Sequence, residues 1–80
     1  MKLSELFEQV EDALELEAGS VTMDSSNENI EDWDSLGHIT ILGNLDEATD
    51  GASAEIADLT QATSMEQIVR IMTENGLLDS

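Results

Sequence analysis

Residues 34–51 read Asp34-Ser35-Leu36-Gly37-His38-Ile39-Thr40-Ile41-Leu42-Gly43-Asn44-Leu45-Asp46-Glu47-Ala48-Thr49-Asp50-Gly51. Asp34 is a residue type that accepts hydrogen bonds from the free amides of a helix start, and Thr49-Asp50-Gly51 supplies a stop. Between them the apolar residues do not fall on one narrow stripe. On a helical wheel Leu36 and Ile39 lie on one side, Ile41, Leu45 and Ala48 on nearly the other, and Leu42 between. A helix that is apolar over so wide an arc is either central to a bundle or lends part of its surface to a partner, and in a small protein both can hold.

Working outward, residues 17–33 have no periodicity and are rich in small polar side chains, among them Ser20, Thr22, Asp24, Ser25, Ser26, Asn27 and Asn29. A loop this long inside a small domain has to be pinned by a few apolar anchors, for which Val21, Met23 and Ile30 are the candidates. Trp33, a lone aromatic, is expected to pack the end of the loop against the bundle. Ahead of the loop, Leu3, Leu6, Phe7, Val10, Ala13, Leu14 and Leu16 recur at three- and four-residue steps between acids. This predicts an amphipathic helix over 3–16.

On the other side of the central stretch, Ser53 can cap a short helix carrying Ile56 and Leu59, with Ala62 facing inward. Ser64-Met65-Glu66-Gln67 has the Ser-x-x-Gln form of a capping box. Ile68, Val69, Ile71 and Met72 then supply an apolar face until Asn75 and Gly76 end it. The fold class expected is all-α: a small four-helix bundle with a long loop between helices 1 and 2 and a short third helix, in a single domain over 1–80.

Composition limits what such a bundle can do. The 80 residues carry 19 Asp and Glu against two Lys and Arg, a formal charge of -17. Phosphates and anionic membrane faces are held by cationic side chains, so neither nucleic acid nor a membrane surface is an expected partner; a basic protein surface is. A hydrophobic fraction of 40% is too high for an acidic disordered tail. A domain this short has a thin core and little room for a deep catalytic pocket. With no Cys and one His, thiol and histidine-cage metal sites are excluded. No apolar run follows Met1 and Lys2, so the expected location is the cytoplasm; the chain is also expected to be a monomer.

The chemistry-bearing residues cluster at Trp33-Asp34-Ser35-Leu36-Gly37-His38. A hydrolase elbow would need Gly two residues before and two after the Ser; Gly37 is present, but Trp33 stands in the other place and no strand precedes it. Ser35 and His38 could approach each other on one helix, yet no orienting carboxylate or oxyanion hole is evident. Two calcium-loop imitations fail: the one from Asp46 has Ala48 and Ala57 at ligand positions, and the one from Asp24 has Asn29 for the Gly and Ser35 at the last position. No metal site is expected. What remains is a Ser in the first turn of a helix, where unpaired amides and the positive helix end favour an attached phosphate, with Asp34 partly opposing. The plainer reading is that Asp34 and Ser35 only start the helix.

Asp34-Ser35-Leu36, at the head of the second helix after a long polar loop in an acidic, Cys-free chain, resembles the attachment motif of acyl carrier proteins. The longer string Trp33-Asp34-Ser35-Leu36-Gly37-His38-Ile39 is similar to that of many freestanding members, and helix order, loop length and charge extend the likeness to the whole chain. The resemblance implies that Ser35 carries a 4'-phosphopantetheine arm, installed from coenzyme A by a phosphopantetheinyl transferase, whose thiol bears acyl groups as thioesters. It implies that Asp34 helps hold the metal ion in the transferase complex and that Leu36 anchors the helix start and meets the partner enzyme. By the same resemblance Asp46, Glu47 and Ile41 would dock basic patches on acyl-transferring or acyl-activating enzymes, in fast and salt-sensitive encounters. The protein would then be a carrier and not an enzyme.

Fatty-acid carriers usually place an acid just after Asp-Ser-Leu and another about a turn on, where this chain has Gly37, His38 and Thr40. That bare patch leaves fatty acid, specialised lipid and polyketide roles open beside an aminoacyl or peptidyl carrier, or an acidic helical module that is never modified. Gly37 and Gly43 each cost about 1 kcal/mol against Ala in a helix interior, so they either soften the helix or allow close approach of the arm or the bundle. His38 is expected to face solvent without a role.

Overall fold

Three α-helices and two short 3₁₀ turns make up the computed structural model, which describes residues 1–79. The helices are α1 (Leu3–Ala13), α2 (Ser35–Ala48) and α3 (Met65–Glu74); the 3₁₀ turns, Ser53–Glu55 and Ala57–Gln61, lie between α2 and α3. There is no strand among the described residues, only isolated bridges joining Lys2 to Asp79 and Ser26 to Ser64. The chain is therefore all-α, but it has three helices and not the four expected.

The missing helix has a readable cause. Of the expected apolar face only Leu59 lies inside a 3₁₀ turn; Ile56 and Ala62 are the extended residues that bound it. Leu59 and Ala62 are buried and Ile56 packs against the core. Ile56 is itself extended, with φ -98° and ψ 97°, which separates the two turns. Ser53 does not cap a helix; it is buried in the first turn, its N–H donating to Thr49 Oγ1 at 3.0 Å.

All three helices end alike. After α1, Leu16 N–H donates to Glu11 O at 2.8 Å and Glu15 N–H to Asp12 O at 3.3 Å, with Glu15 at φ 57°. This Schellman arrangement turns the chain away at Ala13, so the helix stops short of the expected residue 16. Asp50 at φ 54° and Gly76 at φ 73° serve the same way after α2 and α3. At the start of α3, Ser64 Oγ accepts from Gln67 N–H at 3.2 Å, while Gln67 Oε1 accepts from Thr63 N–H at 2.8 Å. The capping box thus closes one residue ahead of its usual partner.

Leu6, Val10, Ile41, Leu45, Leu59, Met65, Ile68 and Met72 form the fully buried centre. Truncating one of these, for example Leu45→Ala, removes packing worth about 2–5 kcal/mol. α1 lies against α2, where Asn44 Nδ2 also donates to Gln9 O at 3.1 Å, and α2 packs against both 3₁₀ turns.

The loop of residues 17–33 is long, as expected, but it is tied throughout. Glu11, only 5% exposed, turns its carboxylate under the loop, where Oε2 accepts from Gly19 N–H at 2.9 Å and Val21 N–H at 3.1 Å. Further along, Met65 N–H donates to Ser25 O and Asn27 N–H to Thr63 O, each at 2.9 Å, so the loop is stitched to the start of α3. Of the expected anchors, Val21 is buried and Ile30 packs on the core, but Met23 is 41% exposed. Trp33 is buried at the loop's end. The chain ends meet: Met1 N donates to Leu77 O at 3.1 Å and Asp79 N–H to Met1 O at 2.7 Å, beside the buried Leu78.

Candidate functional site

Ser35 is the first residue of α2 and is exposed. Asp34 before it is the N-cap: its Oδ1 accepts from Gly37 N–H at 2.8 Å, and its carbonyl accepts from His38 N–H at 2.8 Å. One of the first-turn amides is thus already occupied by the Asp34 carboxylate. The hydroxyl-bearing residue sits at a helix start held in place by its own neighbour.

Gly37 is what lets the loop pass so close to this turn. A Cβ at residue 37 would collide with the backbone carbonyl of Asp32 and lie 2.8 Å from Leu14 Cδ2. Of the alternatives the sequence leaves open for Gly37, close approach of the bundle is the one observed. Gly43 differs, since a Cβ there meets nothing within 4 Å.

His38 departs from expectation. It is half-buried and spends both ring nitrogens: Trp33 Nε1–H donates to Nδ1 at 3.0 Å, and Nε2 lies 2.8 Å from Leu59 O. Indole N–H is only a donor and a carbonyl only an acceptor, so the proton of the neutral imidazole is on Nε2. The two rings lie within 14° of parallel, with centroids 6.1 Å apart. This chain of bonds fastens the first turn of α2 to the second 3₁₀ turn. It leaves no imidazole lone pair to take a proton from Ser35, which answers the dyad considered from the sequence.

Ser35 opens on a groove of about 710 Å³ between α2 and residues 60–63. Its walls include Trp33, Ile39, Leu42 and Ala62 on the apolar side and Asn27, Thr60, Gln61 and Thr63 on the polar side. No charged side chain other than Asp34 lines it. Among the described residues no three His, Asp or Glu side chains gather in a way that could hold a metal ion.

The remaining expected site residues separate. Leu36 is 75% exposed and Ile39 63% exposed, so this end of α2 presents apolar surface beside Ser35. Ile41 is fully buried and cannot meet a partner; the side of α2 that carries Ile41 and Leu45 is the core side. Glu47 is exposed, and Leu36, Thr40, Gly43 and Glu47, all exposed, follow one another along α2 at three- and four-residue steps. Asp46 is only partly exposed, and its Oδ1 is buried.

Sequence reasoning missed Glu11, whose acid looks like any other on a charged helix face. Its only signal was its place on the apolar side of α1, one residue after Val10 and three before Leu14. No helix of the described residues is long and apolar enough to cross a membrane. No family model matches the chain, and no curated protein or solved structure matches it.

Proposed function

We propose that the protein is an acyl carrier, holding acyl groups as thioesters on a 4'-phosphopantetheine arm attached through a phosphodiester to Ser35. The observation that carries this reading is an exposed Ser35 at the head of α2, opening on a groove whose one histidine, His38, has both ring nitrogens engaged elsewhere. A serine so placed is suited to be modified by another enzyme rather than to attack a substrate. The groove's mixture of apolar and neutral polar walls suits an arm that carries both methylenes and amides.

The two 3₁₀ turns take the place of the short third helix of the carrier family, and the stitched loop takes that of its long first connection. Leu36 and Ile39, with Asp34 ahead of them and Glu47 farther along α2, form the docking patch for the transferase and for acyl-transferring enzymes with basic surfaces. Ile41 has no part in it. The carrier acts in lipid or polyketide assembly, or with aminoacyl groups; in each case the chain supplies the attachment point and the partner enzymes the chemistry.

The exposed Leu36 and Ile39 also suit a rival reading, an acidic helical module that binds a basic partner and is never modified. Intact mass after coexpression with a broad-range phosphopantetheinyl transferase and coenzyme A separates the two. A single added phosphopantetheine, lost in Ser35→Ala, is the expected result. Unchanged mass with several competent transferases sinks the carrier and leaves the module.

A further inference from the structure

Ser35, His38, Leu42 and Asp46 follow at steps of three, four and four, and so form one stripe along α2. This stripe spans about 16 Å at 1.5 Å per residue. Two cavities lie along it. The first is the groove at Ser35; the second, of about 280 Å³, has Leu42, Asp46, Ser53, Ala54, Ile56 and Thr60 among its lining residues. Leu42 and Thr60 line both, so the groove and this second, inner cavity adjoin there.

The inner cavity is apolar along Leu42, Ala54 and Ile56 but polar at Asp46. There the Oδ1 atom is buried with no hydrogen-bond partner, the one such side-chain atom among the described residues. A buried acceptor without a donor is costly and rarely tolerated. The nearby amides cannot relieve it. Gly51 N–H donates to the Asp46 backbone carbonyl, Ala52 N–H to Thr49 O and Ser53 N–H to Thr49 Oγ1. No donor of the chain lies within hydrogen-bond distance of Oδ1, so a water or a ligand group is what can supply one.

Resting on the carrier reading, the geometry points to an acyl group that ends in a hydrogen-bond donor, a hydroxyl or an ammonium. Its methylenes pass Leu42 and Thr60 into the inner cavity, and its far end donates to Asp46 Oδ1. A methyl-ended chain of the same length would fill the same space and leave the carboxylate oxygen dry and unpaired. The site therefore discriminates by the end of the chain.

The test uses the full chain carrying its arm, loaded with hexanoyl and octanoyl groups that end in methyl, hydroxyl or ammonium. Cleavage of the thioester by hydroxylamine reads how well the group is withdrawn from solvent, and amide NMR shifts at Gly51, Ala52 and Ser53 read where its end lies. At one of the two lengths the donor-ended chains should be cleaved about tenfold more slowly than the methyl-ended one, the effect of one hydrogen bond to a charged group. Asp46→Leu should abolish that difference, and Asp46→Asn, which keeps an acceptor of the same shape, should retain part of it and serves if the Leu variant does not fold. Protection of both polar ends means a hydrogen bond suffices; protection of the ammonium alone means charge pairing decides, and either supports the assignment. Equal cleavage for all three ends at both lengths, or a preference unchanged in both Asp46 variants, overturns it while the carrier reading stands. A chain that never accepts the arm, seen directly by mass, overturns both.

Discussion

The indole N–H of Trp33 donates to Nδ1 of His38 at 3.0 Å, across the point where the long loop enters α2. Because the other ring nitrogen meets Leu59 O, the histidine acts as a neutral strut between loop, helix and 3₁₀ turn. Trp33→Phe keeps most of the buried ring but strands Nδ1, and should cost about 1–3 kcal/mol in urea unfolding. Nitrogen NMR of the native imidazole should show the proton on Nε2. Finding it on Nδ1 would contradict the bond to the indole.

Glu11 gives a second prediction, with a larger effect. Its buried carboxylate accepts from two loop amides, and hydrogen bonds to charged groups are worth about 1.5–3 kcal/mol each. Glu11→Ala should lower stability by about 3 kcal/mol, a large share of the roughly 4–12 kcal/mol typical for this length. The loop should loosen first, with faster amide exchange at Gly19 and Val21 than in the rest of the chain. Unchanged exchange at those two amides would show that the carboxylate does not hold them.

The two glycines inside α2 should respond in opposite directions to one substitution. Gly43→Ala adds a Cβ in open space and should stabilise by up to about 1 kcal/mol through helix propensity. Gly37→Ala drives a Cβ into the Asp32 carbonyl and Leu14, so the loop must shift. It should destabilise by about 1–3 kcal/mol, read from thermal melts of both variants side by side.

These pairs show where the sequence was legible. Helix positions came from apolar spacing and from stop residues, so α1, α2 and α3 stand close to their expected places. The exposed Ser35 and the cap at Asp34 followed from residue type and position. What could not be read was the side of α2 that faces inward, because apolar residues occupy most of its circumference; Ile41, expected at the docking surface, is core for that reason. The bonds of His38 and Glu11 depend on partners 5 to 21 residues away, and the unpaired Asp46 Oδ1 on a cavity; no local pattern encodes those.

Salt should stabilise the fold. The charge of -17 is confined to a body of 28 × 23 × 18 Å, only two to three screening lengths across at about 0.1 M salt. Moving to about 1 M, where the screening length falls to about 3 Å, should raise the melting temperature. The one ion pair among the described residues, Met1 N to Asp79 at 3.8 Å, lies at the surface and is too weak to reverse the sign. A melting temperature that falls in sodium chloride would show that specific pairing outweighs repulsion.

The meeting of Met1 with Leu77 and Asp79 occurs beside Ala48, Thr49 and Asp50, at the end of α2 remote from Ser35. Both ends of residues 1–79 therefore leave from one pole, while the serine and its groove occupy the other. A linker, a surface anchor or a fused domain attached at either end would hold the protein by its base and leave the Ser35 pole facing outward. A covalent bridge joining the two ends would close the chain into a ring without crossing the groove.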